Sequence, residues 1–202
     1  MMISTEVTER TLAPGLLLAM PHLLDPNFHR AVVLMIEHNE EGSFGLIINR
    51  PSTMSVSALL VALDMTWRGD TGAVVWTGGP VMPTSGWVLH APSSRIGRGA
   101  ATLQTGLESD GTVSFAPGLD LSTSPEKLRL IAESPPDRTR FLLGYSGWGP
   151  GQLADEMARG SWLHADPDPE LIFETPAEVL WESALRSLGV SPEAIVQGRG
   201  IH

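Results

Sequence analysis

Apolar positions fall in short runs along this chain, separated by polar turns, and the spacing within the runs predicts the elements. Leu16 to Met20 is an unbroken apolar run closed by Pro21. After a polar turn containing Asp25, Pro26 and Asn27 come Ala31–Glu37 and Phe44–Asn49, joined through the five residues 39–43. Two β-branched, apolar runs linked by a short loop with glycine predict a β-hairpin. In the first arm Val32, Leu34 and Ile36 share one face, and Val33 and Met35 share the other. A strand apolar on both faces is covered on both, so this hairpin is expected inside the fold.

Further along, Ser55 stands where it can cap a helix whose apolar face is Val56, Leu59, Leu60 and Leu63, at the i, i+3, i+4, i+7 spacing. Short strands are predicted at 73–76, 87–90, 112–115 and 119–122, with a weak signal at 101–103. Ser124-Pro125-Glu126 opens a second helix carrying Leu128, Ile131 and Ala132. Residues 141–144 read as a buried strand that turns through 145–151 into a helix holding Leu153 and Met157, and 162–165 reads as another strand. Residues 171–173 are a short extended or helical turn. Thr175-Pro176-Ala177-Glu178 has the form of a capping box for a helix burying Ala177, Leu180, Trp181, Ala184 and Leu188, closed by Gly189.

Strands arrive in hairpins and helices arrive irregularly, which excludes a regular βα alternation. The expected architecture is α+β, a largely antiparallel, strongly bent sheet with helices packed outside. Residues 1–14 are expected to be a mobile lead-in, 15–189 a single domain and 190–202 a tail.

Composition narrows the partners. A formal charge of −10 and the scattering of twelve Arg and one Lys, never clustered, argue against direct binding to nucleic acid or an anionic membrane. No apolar segment approaches the roughly 20 residues that span a bilayer. Cysteine is absent, so disulfides and thiolate chemistry are excluded and a cytoplasmic location is expected. No cofactor or metal is implied. The expected partner is a protein or a small molecule.

Candidate chemistry comes with a plainer alternative in each case. Gly144-Tyr145-Ser146-Gly147-Trp148 resembles a nucleophile elbow, but Trp148 stands where the elbow needs glycine, and the only following imidazoles are His164 and His202. The alternative is a tight turn requiring small residues. Gly147, Gly149 and Gly151 do not complete a dinucleotide fingerprint, because Gln152 occupies the third position. His22, Asp25 and His29 offer metal-ligating groups without a fourth ligand. Trp148 and Trp162 flank a helix bearing Gln152, Asp155 and Glu156, which suits either an aromatic groove or core filling. Asn49 ends a buried strand and is expected to tie down neighbouring backbone. The best candidate surface lies where the loop with His22, Asp25, Asn27 and Arg30 meets the turn with Tyr145, Gly147, Trp148 and Gln152. The competing reading is that these side chains cap their own turns.

Several motifs in order resemble the AlgH/YqgE family of bacterial proteins. They are 19–21 (AMP), 25–28 (DPNF), 37–38 (EH), 45–51 (GLIINRP), 78–81 (GGPV), 88–90 (VLH), 144–148 (GYSGW), 151–153 (GQL) and 162–163 (WL). The resemblance covers nearly all of 15–189. It implies a branched, bent sheet folded into a pseudo-barrel, and a role in transcriptional regulation, a label carried by one branch that has no recognised DNA-binding motif. Two positions depart from the family pattern: Ser146 stands where alanine is usual, and Ser85 where an arginine often precedes Gly86.

Overall fold

The computed structural model describes residues 12–94, 96 and 111–196. β1 (Gly15–Ala19), β2 (Val32–Asn39) and β3 (Gly42–Ile47) form an antiparallel unit with β2 between the other two. The β2–β3 turn is tighter than the expected five-residue loop, since pairing runs on to Asn39 and Gly42. Asn39 closes it, its Oδ1 accepting from the N–H groups of Glu41 at 2.9 Å and Gly42 at 3.2 Å. Alternation sorts the hairpin's side chains as expected. Val32, Leu34 and Ile36 enter one apolar cluster with Leu142 and Trp181, while Val33 and Met35 enter a second with Trp148 and Trp162. Burying each such aliphatic side chain contributes about 1.5–3 kcal/mol, so this one strand anchors both layers.

β4 (Pro51–Ser55) leads into α1 (Val56–Val61), where the Ser55 hydroxyl accepts from the Ala58 N–H at 3.1 Å. Val56 and Leu60 are buried, but the helix stops at Val61, so Leu63 falls beyond it and is exposed. β5 (Val74–Thr77), β6 (Val81–His90), β7 (Thr112–Ala116) and β8 (Leu119–Ser122) follow. α2 (Pro125–Glu133) is capped by Ser124 and buries Ile131 and Ala132. The expected strand at 101–103 and residues 1–11 of the expected lead-in (1–14) lie outside the described residues.

β9 (Thr139–Trp148) corrects the sequence reading. Residues 145–148 were expected in a turn, and they continue the strand; the turn is Gly149–Gly151. The glycines that imitate a turn serve a close crossing instead. A Cβ at Gly79 would lie 2.2 Å from the carbonyl carbon and oxygen of Tyr145, and one at Gly144 would lie 2.4 Å from the Gly79 carbonyl oxygen. Both glycines have positive φ, at 153° and 72°.

β9 is also the branch point of the sheet. It pairs antiparallel with β6 along most of its length, parallel with β5 at 141–143, and antiparallel with β3 at 146–148. From it the order runs β3-β2-β1-β10 on one side, with β10 spanning Trp162–Ala165, and β6-β8-β7 on the other. The sheet is mainly antiparallel and curls strongly into a half-barrel.

α3 (Gln152–Ala158), α4 (Pro169–Glu174), α5 (Ala177–Ser187) and α6 (Pro192–Val196) complete the chain. The expected capping box at α5 does not form, since Pro176 takes the cap position and no side chain bonds the helix start. Leu185, rather than Leu188, joins Leu180, Trp181 and Ala184 in the core, and Gly189 ends the helix at φ 73°.

Candidate functional site

The loop from Met20 to Arg30 is built on its own backbone. The Met20 N–H bonds the Ser161 carbonyl at 2.9 Å, which ties the loop to the residue just before β10. The Asp25 carboxylate accepts from the Asn27 N–H at 2.8 Å and from its side-chain amide at 3.0 Å, an Asx-turn. His22, Asp25, Asn27 and Arg30 are all exposed. Phe28 holds the loop down. Its ring stacks on Trp148 with centroids 5.9 Å apart and meets Trp162 edge-on at 5.3 Å.

Glu156 fixes the two tryptophans beneath that ring. Its Oε2 accepts from Trp148 Nε1 at 3.0 Å and from Trp162 Nε1 at 2.7 Å. Oε1 accepts from Gln152 Nε2 at 2.9 Å, while Gln152 Oε1 accepts from the Gly149 N–H at 3.1 Å. Both indoles are at most 5% exposed, so they fill core rather than line a groove.

The loop and the end of β9 therefore meet through Phe28 and Trp148, but the eight candidate residues do not form one set. Because 145–148 is strand, Tyr145 and Gly147 face away from Trp148. Tyr145 packs against Phe44 at 5.1 Å and Trp87 at 6.1 Å on the opposite layer. The Arg30 guanidinium turns towards Trp181, 5.3 Å from the ring centroid. Asp25, Asn27 and Gln152 each cap nearby backbone or an adjacent side chain.

Two other candidates lose their chemistry. Ser146 is fully buried and its hydroxyl donates to the Gly78 carbonyl at 3.3 Å, so it is no exposed nucleophile. Among the described residues, no three His, Asp or Glu side chains are grouped to hold a metal. Asn49 takes the structural place expected of it: Oδ1 accepts from the Val32 N–H and Nδ2 donates to the Arg30 carbonyl, both at 2.9 Å. Arg50 donates to the His29 carbonyl beside it. A cleft of about 460 Å³ lies elsewhere, between the segments 91–93 and 134–138.

Sequence reasoning missed two buried polar constellations. One is His90, fully buried, whose Nδ1 lies 2.8 Å from the Ala91 carbonyl and whose Nε2 lies 2.8 Å from the Ser122 hydroxyl. A carbonyl only accepts, so Nδ1 carries the proton and Nε2 accepts from Ser122. Thr112 Oγ1 is 2.7 Å from Ser122 Oγ and completes the relay. Burial holds the imidazole below its usual pKa, opposed by the Ala91 carbonyl and the charge of Asp120.

The other is Arg140, 6% exposed, whose Nη1 donates to the Ile48 carbonyl at 2.7 Å. Its guanidinium lies over Trp76 at 4.2 Å and Phe173 at 6.0 Å. Burial lowers its pKa to about 10, and the charge of Glu174 opposes that. A usable signal exists in the alternation: Arg140 shares a strand face with Leu142, a core residue.

A mainly antiparallel sheet curled into a half-barrel and flanked by short helices is the architecture of a known group of bacterial proteins. The AlgH-like family model, DUF179, matches residues 16–193, and the chain belongs to that family. A UPF0301 protein from Myxococcus xanthus is 42% identical over 194 residues, covering 96% of this chain and 99% of the relative. Among solved structures, the solution structure of the AlgH protein from Pseudomonas aeruginosa covers 100% of both chains at 32% identity and a TM-score of 0.70. The crystal structure of protein DIP2367 from Corynebacterium diphtheriae covers 93% of this chain and 91% of its own at 23% identity and a TM-score of 0.65, a likeness of fold.

Proposed function

We propose that this chain is a non-catalytic binding protein that engages a partner through the 20–30 loop. The observation that carries the reading is the Phe28–Trp148–Trp162 stack locked by Glu156, which seats an exposed loop on a rigid base. The loop presents Leu24, 90% exposed, between His22 and Asp25, a pairing of apolar and polar groups that suits a protein partner. The regulatory label of the AlgH branch then fits contact with another protein better than contact with DNA, since the chain carries a formal charge of −10. We place it in the cytoplasm, which the lack of cysteine supports. Among the described residues no helix is long and apolar enough to cross a membrane.

Affinity capture with the wild-type chain and a Leu24→Asp/His22→Ala variant tests this. A specific protein retained by the first and lost by the second supports it; equal retention by both overturns the role of the loop. A mobility shift of duplex DNA at low salt overturns the preference for a protein partner.

A further inference from the structure

We propose that Arg140 is the anchor of a binding site for the carboxylate of a small organic acid, a site separate from the loop discussed above. A guanidinium has five N–H donors in one plane. Among the described residues, Arg140 places a single one of them, on the Ile48 carbonyl, and touches no carboxylate. Glu174, whose charge acts on it, is already engaged by Arg138 at 2.8 Å. Arg140 keeps 6% of its surface exposed.

Such an arrangement is costly for a side chain with only a structural task. Burying a cation without a paired anion is unfavourable, and capping one carbonyl needs no charge. Ring faces of Trp76 and Phe173 offset part of that cost and also define the site's shape. The planar fork of the guanidinium matches the two coplanar oxygens of a carboxylate. The lowered pKa of Arg140 leaves it charged at neutral pH, ready for an anion.

The test is a titration of the full chain with acetate and benzoate, followed by the side-chain NMR signals of the Trp76 indole and the Arg140 guanidinium. Sodium chloride and inorganic phosphate at matched ionic strength are the other arms. The expected result is a saturable shift of both signals in the millimolar range with a carboxylate and none with chloride. The midpoint should weaken at least about tenfold in Arg140→Lys, which keeps the charge and loses the fork. No saturable shift in the wild-type chain overturns the proposal without reference to any variant. A response to phosphate alone overturns the carboxylate class. An equal midpoint in Arg140→Lys overturns the role of the fork.

Discussion

His90 and Arg140 sit almost side by side on paired strands, Arg140 opposite Leu89 and His90 opposite Thr139, yet they face opposite layers of the sheet. Each is a nearly buried polar group in a largely apolar setting. The imidazole is closed: Thr112 donates to Ser122, Ser122 to His90, and His90 to the Ala91 carbonyl. The guanidinium is open, with one placed bond and no acid in contact. A closed network serves the fold, because every buried donor and acceptor is matched. An open one spends stability, and such spending is the mark of a group held for something outside the chain.

Substitutions should separate the two in order of size. His90→Leu leaves the Ala91 carbonyl without its donor and the Ser122 O–H without its acceptor, and is expected to cost about 3 kcal/mol in urea unfolding. The same residue gives a pH signature. Its folded pKa is depressed, so the unfolded chain binds more protons below the ordinary value near 6.5. Stability should fall as pH drops through that range, level off below the folded pKa, and lose this component in His90→Leu. Asn49→Ala, which frees the Val32 N–H and the Arg30 carbonyl, should cost about 1–3 kcal/mol.

Arg140→Met should change stability by less than about 1 kcal/mol, because relief of the buried charge offsets the lost bond to Ile48. A loss as large as that of His90→Leu would erase the contrast and make Arg140 a structural residue. Asp25→Ala should cost least, about 0.5 kcal/mol, since its Asx-turn is exposed.

The hairpin was legible because period-two alternation states its own outcome: Val32, Leu34 and Ile36 to one layer, Val33 and Met35 to the other. The caps at Ser55 and Ser124 were legible for the same reason, being local. What failed depended on distant chain. Gly144 looks like a turn residue until the Gly78–Gly79 backbone is known to cross there. Arg140 looks like one more scattered charge until Ile48, 92 residues earlier, supplies its carbonyl. For the candidate surface, Phe28 and Trp148 do join the two segments, while Tyr145 lies on the other layer because a strand reverses its faces at each residue.

The place of β9 at the branch of the sheet has a consequence for the order of synthesis. β3, β5 and β6 all require it as a partner, and none of them can complete its pairing until residues 139–148 have left the ribosome. Until then β3 has an unfilled edge, and the apolar faces of the early hairpin lack the helices that later cover them. A nascent chain stalled before Thr139 therefore exposes that edge and those faces, and is expected to aggregate more readily than the finished chain.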